Sequence, residues 1–338
     1  MPAVVAAVRA NPKNAPIAKQ ACSALWNMAA GPPEACASIG EVGVRCAVEA
    51  IAAHAETSVG VAEDAAGALL HMANDETLRA HVMEVGGVEA CCNVLRRHVK
   101  TPSACQNACG ALGRLLTTPQ SVDRVCACGA VQLTVACMQT SPRDLDLIDE
   151  AAFLLTALVG RMAREFVKRA ADGTGGERAG GGDSSGGGDS LVSSLERGHA
   201  CGLVDAAVGA VDTVVSIGSV QPSFDVERLY QPCKLLANLC LVSLPSYQAA
   251  LLKPATASTL VGAFQMMWHL VLKDGQAQRH AADKPEEGVE TAATQALVSF
   301  KRCGPEFERM LLATEGIKQV TKELIEHGTS RVEEVLVC

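Results

Sequence analysis

The stretch Ala21-Cys-Ser-Ala-Leu-Trp-Asn-Met-Ala29 decides the fold, because related stretches recur along the chain. The clearest copies are Ala65-Ala-Gly-Ala-Leu-Leu-His-Met-Ala73 and Ala108-Cys-Gly-Ala-Leu-Gly-Arg-Leu115. A central leucine marks the register of the copies: Leu25, Leu69, Leu112, Leu155, Leu236 and Leu297. The first three intervals are 44, 43 and 43 residues, and each later interval is one such period plus an insertion. A helical repeat of roughly 40–47 residues is typical of a helical solenoid.

The composition fits closely packed helices. Of the 338 residues, 49% are hydrophobic but only 3% are aromatic, so small and aliphatic side chains must fill the helix interfaces. The formal net charge is -8, whereas a general nucleic-acid binder usually carries a basic excess. We therefore expect no nucleic-acid partner.

The 15 cysteines indicate a reducing compartment. Their number is odd, and most lie inside helical patterns rather than at the spacings of a disulfide framework. A free cysteine in such a pattern behaves as a small buried hydrophobe. The sequence also lacks a signal-peptide pattern and a strongly apolar span. We therefore expect a cytoplasmic or nuclear protein without direct membrane insertion.

The helical pattern follows a cycle of a short, a medium and a long helix. One complete cycle is predicted over residues 76–84, 87–98 and 102–117. A glycine precedes each medium helix and permits a sharp turn there. These glycines are Gly43, Gly86 with Gly87, and Gly129. Residues 2–10 match the medium helices, so the sequence begins in the middle of a repeat, as a fragment, a truncated gene model or an array with an unusual cap.

The repeated unit resembles a known family. Glu84-Val-Gly-Gly-Val-Glu-Ala precedes a leucine-rich helix, and an Ala-x-x-Ala-Leu-x-x-Leu/Met helix follows it. This order is similar to the armadillo repeat. The resemblance implies an all-α fold, a right-handed α-solenoid of about six to seven three-helix repeats.

The resemblance covers the chain outside two insertions, so a single array over 1–338 is predicted. Residues 172–190 are rich in Gly, Ser and Asp and are predicted to be a disordered insertion. Residues 274–288 are predicted to be a charged loop. Before the first insertion, the pattern predicts a long helix over 143–159 and a separate short helix over 161–170.

In armadillo arrays the long helices line a concave face that usually holds an extended peptide. The register places three columns of residues four apart, and therefore on one face of each long helix. The predicted partner-binding residues in these columns are Lys19, Ser23, Asn27, Glu63, His71, Gln106, Arg114, Asp149, Tyr230, Lys234 and Asn238. The remaining column members are Gly67, Gly110, Phe153, Ala157, Thr291, Gln295 and Ser299. The positions beside them, such as Ala24 and Met28 around Leu25, are apolar and are predicted to be core.

The columns differ from those of nuclear-import receptors with armadillo repeats. Those receptors carry Trp in the second column and Asn in the third. Here the second column has no Trp, and Trp26 is one step along its helix and is predicted to face elsewhere. Only Asn27 and Asn238 remain in the third column. Their amides either hold a peptide backbone or satisfy carbonyl groups of neighbouring helices, and both readings stay open.

Four cysteines lie close enough in sequence to be considered as metal ligands. Cys105 and Cys109 lie four apart on one helix, and Cys126 and Cys128 lie two apart at the end of another. Structural zinc sites favour two matching C-x₂₋₄-C pairs, with two to four residues between the cysteines of each pair, whereas only one residue separates Cys126 from Cys128. The spacing here indicates small buried residues instead, and no metal or cofactor is expected.

Catalysis is set aside for similar reasons. A constellation of His71 with Asp75 or Glu63, and with Cys109, lacks an orienting group and an oxyanion site. The acidic residues near the start of one long helix are explained by the helix dipole. These residues are Asp144, Asp146, Asp149 and Glu150. We expect no catalytic residues and no small-molecule substrate.

The sequence therefore predicts a non-catalytic scaffold or adaptor that binds an extended or helical segment of a partner protein. Two alternatives stay open. One is a nucleotide-exchange cofactor for an Hsp70-type chaperone, as some short armadillo proteins are. The other is a membrane-tethered armadillo adaptor, whose acylation site is not within this sequence.

Overall fold

The computed structural model describes residues 2–171, 196–221, 224–242, 244–267 and 289–318. Within these ranges the regular secondary structure is helical, without strands. The chain divides into two compact units, described separately below. Unit 1 comprises Met1–Leu158 and Asp183–Cys201, and unit 2 comprises Val159–Gly182 and Gly202–Cys338.

The helices of unit 1 follow the predicted cycle, and the last of them, α11, continues into unit 2. They are α1 Pro2–Ala10, α2 Ala15–Ala29, α3 Pro33–Ala37, α4 Gly40–His54, α5 Val59–Met72, α6 Glu76–Glu84, α7 Gly87–Arg97, α8 Pro102–Leu115, α9 Pro119–Ala127, α10 Ala130–Thr140 and α11 Leu145–Ala171. The long helices α2, α5 and α8 pack side by side, because α5 contacts both of the others extensively.

Unit 2 continues the same alternation of helices. They are α12 Leu203–Gly218, α13 Tyr230–Leu241, α14 Pro245–Leu251, α15 Pro254–Met267, α16 Val289–Arg302 and α17 Pro305–Ala313. A 3-10 turn, Val226–Leu229, leads into α13. The long helices α13 and α16 form the main contact within this unit.

Local sequence signals place most helix starts. The side chains of Ser58 and Asp75 accept hydrogen bonds from the backbone N–H groups of Val61 and Leu78, which caps α5 and α6. The medium helices α7 and α10 begin after Gly86 and Gly129, whose φ angles of 93° and 77° are left-handed. A glycine adopts this conformation without steric cost.

The first predicted glycine turn was placed wrongly. The positive φ angle, 56°, belongs to Gly40, whereas Gly43 lies buried inside α4. The short helix α3 has only five residues, so the chain turns sooner than in the later repeats.

The predicted break between 143–159 and 161–170 is also wrong, because α11 runs without interruption from Leu145 to Ala171. A single glycine, Gly160, costs a helix interior only about 1 kcal/mol relative to alanine. It sits next to Asn238 of α13, whose amide nitrogen would lie 2.9 Å from a Cβ atom at this position. The absence of a side chain at Gly160 leaves room for this contact within the continuous helix.

The predicted core is confirmed at the marker leucine of every repeat. The six marker leucines are fully buried: Leu25, Leu69, Leu112, Leu155, Leu236 and Leu297. The flanking positions are also buried from the second repeat onward. In the first repeat Ala24 and Met28 are only half-buried, which corrects their assignment to the core. The long helix α5 contacts α2 extensively, whereas the nine-residue α1 contacts it much less.

No single helix in the described ranges is long and apolar enough to span a membrane. Two helices bent by 61°, Pro119–Ala127 and Ala130–Thr140, meet the length and composition criteria only when taken together.

The predicted insertions 172–190 and 274–288 lie outside the described residues. That residues 1–338 form a single array stays a prediction.

Replacing a marker leucine tests the packing of the long helices. Leu69→Ala should lower the free energy of unfolding by about 2–5 kcal/mol, because it leaves a cavity at a fully buried position of α5. Urea unfolding followed by circular dichroism measures the loss. Val59→Ala, on the same helix but 44% exposed, is the control and should change stability little. Equal losses for the two variants would contradict the packing described here.

Candidate functional site

In unit 1, the predicted binding residues are exposed or half-buried. Lys19 and Asn27 are exposed. The others are half-buried: Ser23, Glu63, His71, Gln106, Arg114 and Asp149. These side chains lie next to fully buried marker leucines on the same helices. Each long helix of unit 1 therefore has one polar, partly exposed face.

In unit 1, two members of the columns are not available to a partner. Gly67 and Gly110 are both buried. Larger side chains from neighbouring helices occupy the space that a Cβ atom would fill. At Gly67 this side chain is Trp26, and at Gly110 it is Glu150, with Leu70 also in contact.

Five side chains from successive long helices meet at this face, and we call them the unit 1 ladder. They are Trp26, His71, Arg114, Glu150 and Phe153. The rings of Trp26 and His71 are 6.2 Å apart between centroids and tilted by 31°. The Arg114 guanidinium lies 5.3 Å from the centroid of the Phe153 ring, which is within the range of a cation–π contact.

Arg114 is held by several hydrogen bonds. Its Nη1 and Nη2 atoms donate to the two carboxylate oxygens of Glu150 at 2.9 and 3.3 Å. Nε donates to Oδ1 of Asn74 at 3.0 Å, and Nη1 also donates to the carbonyl oxygen of Gly110 at 2.9 Å. A bidentate pair of this kind fixes the guanidinium in one orientation. The pair therefore forms a preorganised polar element that joins α8 to α11.

The position of Glu150 differs from the sequence-based interpretation. The helix dipole explains Asp144, whose side chain accepts a hydrogen bond from the backbone N–H of Leu147 at 2.9 Å. It does not explain Glu150, whose carboxylate pairs with Arg114 instead. This pairing involves residues 36 positions apart and leaves no local signal in the sequence.

Trp26 was predicted to face elsewhere, and this prediction is wrong. Its ring lies against Gly67 of the next long helix, where a Cβ atom would be only 2.5 Å from Cε3. Phe153 lies against Gly113 in the same manner, again at 2.5 Å. The missing side chains of these glycines let an aromatic ring from the adjacent helix fill the interface beside the polar columns.

The electrostatics of His71 follow from its place in the ladder. Partial burial lowers the pKa of His71 below its ordinary value, and the positive charge of Arg114 lowers it further. The carboxylate of Glu150 acts in the opposite direction but is the smallest of the three effects. The imidazole is therefore neutral at neutral pH and presents one donor and one acceptor.

The asparagines of the long helices differ in their internal contacts. Asn107 is buried, and its Nδ2 donates to the backbone carbonyl of Glu63 at 3.2 Å, so it links α8 to α5. Asn27 is exposed, and its side chain makes no hydrogen bond within the described residues. Asn238 of unit 2 packs against Gly160.

Unit 2 has its own polar group on the long helix α13. The Lys234 Nζ donates to the Tyr230 hydroxyl at 2.6 Å and lies 4.8 Å from the ring centroid. Both side chains are half-buried, as is that of Asn238. The side chain of Thr291 lies outside the described residues, whereas Gln295 is exposed and Ser299 is buried.

The cysteines weighed as metal ligands do not converge. Cys105, Cys109 and Cys126 are buried, and Cys128 is half-buried. In the part of the chain that the structure describes, no group of three or more His, Cys, Asp or Glu side chains has metal-binding geometry. The Cys109 thiol contacts the Thr134 hydroxyl at 3.9 Å rather than His71, and burial raises its pKa.

Gly67→Ala tests the contact between Trp26 and α5. The added methyl group should collide with the rigid indole and lower the free energy of unfolding by about 1–3 kcal/mol. Gly60→Ala on the same helix is the matched control, because there the methyl group meets only the flexible end of Lys19. Urea unfolding measures both variants. A loss in the control as large as that in Gly67→Ala would argue against the contact.

The lowered pKa of His71 predicts how the stability of the protein changes with pH. Because its folded pKa is depressed, the unfolded chain binds the proton first as pH falls, so His71 lowers stability below its ordinary pKa of 6.5. His71→Gln removes this contribution. Between about pH 7.5 and about pH 5.5, the unmodified protein should therefore lose more stability than the variant. Parallel losses in urea unfolding at the two pH values would contradict the depressed pKa.

No protein-family model and no curated protein sequence matches the chain. Solved structures do. The structure of an engineered protein from a structural genomics consortium aligns with 89% of this chain and 96% of its own, at 19% identity and a TM-score of 0.52. Computationally designed armadillo repeat proteins for modular peptide recognition align with 88% of this chain and 99% of their own, at 15% identity and a TM-score of 0.51. The predicted all-α solenoid class is confirmed, and the chain has an armadillo-like repeat fold.

Proposed function

We propose that this protein is a non-catalytic scaffold that binds a segment of a partner protein along the polar face of its long helices. The observation that carries the proposal is the recurrence of that face. Partly exposed polar side chains lie at equivalent positions on α2, α5, α8 and α11, beside leucines that are fully buried. A repeated surface of this kind suits a ligand that is itself a repeating chain, such as a polypeptide.

The fold supports the same conclusion at a coarse level. Armadillo-like repeats form protein-binding scaffolds, and the designed armadillo proteins described above were made for peptide recognition. A long-helix face with uncommitted amide and carboxylate groups offers donors and acceptors for a peptide backbone.

The polar residues divide into two groups by their internal contacts. Arg114 and Glu150 form an ion pair with two hydrogen bonds, and this pair holds both side chains in place. The side chains of Asn27, Glu63 and Gln106 make no hydrogen bonds to other described residues, so they are available to a partner. We propose that the second group supplies the direct contacts. Further proposed contacts are Lys19, Ser23, His71 and Asp149, and in unit 2 Tyr230, Lys234 and Asn238.

The proposal excludes an enzymatic role for the ladder. Nucleophilic catalysis needs a nucleophile, an adjacent base and a third group that orients the base. Among the described residues of the ladder, His71 lies beside an indole ring and has no nucleophile at hydrogen-bonding distance. The carboxylate of Glu150 is engaged by a guanidinium rather than held free as a base.

A displayed peptide library tests the proposal. Peptides selected on the full chain should bind at the polar face, so the triple change Asn27→Ala, Glu63→Ala and Gln106→Ala should weaken their binding by about tenfold or more, equivalent to about 1.4 kcal/mol. Fluorescence polarisation with labelled peptides measures the affinity. The three side chains make no hydrogen bonds to other described residues, so the variant should fold as the unmodified protein does.

The matched control changes three exposed residues of the medium helix α4, namely Glu41, Arg45 and Glu49, to alanine. This control should bind the selected peptides with unchanged affinity. If the control loses binding and the long-helix variant retains it, the partner surface lies on the medium helices and the proposal fails.

A further inference from the structure

Two buried thiols of unit 1 lie in direct contact. Cys105 of α8 and Cys137 of α10 are both fully buried, and their sulfur atoms are 3.3 Å apart. The Cys137 thiol donates to the Cys105 sulfur, and the Cys105 thiol donates to the backbone carbonyl of His98 at 3.2 Å. The two residues belong to successive repeats and are 32 positions apart.

The contact makes the two sulfurs chemically different. The hydrogen bond from Cys137 lowers the pKa of Cys105 below its ordinary value, although burial opposes this. The same hydrogen bond raises the pKa of Cys137, and burial raises it further. The thiolate is the reactive form of cysteine, so Cys105 is the nucleophile of the pair and Cys137 keeps its proton.

We propose that Cys105 and Cys137 form a site of reversible oxidation, at which hydrogen peroxide converts the two thiols into a disulfide that joins α8 to α10. A disulfide bond is about 2.05 Å long, so the sulfurs need to approach by only about 1.3 Å. Neighbouring Cys109 is equally buried and one turn further along α8, but its thiol contacts Thr134 rather than a second sulfur.

The reaction balances without any other reagent. The Cys105 thiolate attacks one peroxide oxygen, the O–O bond breaks, and the released hydroxide takes up a proton to become water. Cys105 is then a sulfenic acid. The Cys137 sulfur attacks the Cys105 sulfur, and the sulfenic hydroxyl leaves with the Cys137 proton as a second water. The two thiols lose two electrons, which reduce one peroxide to two waters.

Burial sets the rate and the choice of oxidant. Both side chains are shielded from solvent, so peroxide reaches them when α8 and α10 open locally. A small uncharged oxidant enters such an opening. The product closes a loop that contains α9, and this cross-link restricts the unfolded chain, so oxidation stabilises unit 1.

The experiment uses the full chain, reduced and then exposed to hydrogen peroxide. Remaining thiols are alkylated under denaturing conditions, and peptide mass spectrometry with fragmentation locates the disulfides. We expect a linked pair of peptides containing Cys105 and Cys137, two mass units lighter than the reduced pair. Oxidation should also raise Tm by several degrees, and dithiothreitol should reverse the shift.

Three variants separate this pair from general thiol oxidation. Cys105→Ala and Cys137→Ala should each abolish the linked peptide and the peroxide-dependent shift in Tm. Cys109→Ala, buried to the same extent on the same helix, should retain both. The inference is overturned if Cys105 and Cys137 are both recovered as alkylated thiols after peroxide, or if Cys109→Ala abolishes the shift. These readouts do not depend on partner binding.

Discussion

The close approach of neighbouring long helices is the constraint on which the rest of this structure depends. Helices α2, α5 and α8 face one another with alanine, glycine, cysteine and leucine, and these side chains are almost completely buried. Small side chains let the helix axes come near each other, and the leucines between them are fully buried. Where glycine stands at the contact, as at Gly67 and Gly113, there is room for a whole aromatic ring from the adjacent helix.

This packing also shapes the polar face. Because the helices are close, a side chain on one of them reaches a partner on the next, and Arg114 does so with Glu150 and Asn74. The resulting network is satisfied internally and holds its members in fixed positions. Other polar side chains on the same helices, such as Asn27 and Gln106, take no part in it. Under the proposed function, this face combines a rigid element with side chains that contact a partner.

The cysteines show a second consequence of the same constraint. Most cysteines in the described ranges are buried, and every one of them is a free thiol. Tight packing of successive repeats brings two of them, Cys105 and Cys137, into sulfur–sulfur contact. Cysteines that pack here as small side chains are therefore also in contact through their sulfur atoms.

The sequence by itself determined the repeat, its register and the buried leucines, because these depend on a local periodicity that each copy repeats. It also placed several helices, such as Glu76–Glu84 and Pro119–Ala127, because caps and prolines act on their immediate neighbours. Only the tertiary structure decided that Trp26 turns toward Gly67 and that Glu150 pairs with Arg114. These contacts join residues about 40 positions apart, and their geometry depends on how closely two helices pack, which a one-dimensional pattern does not contain.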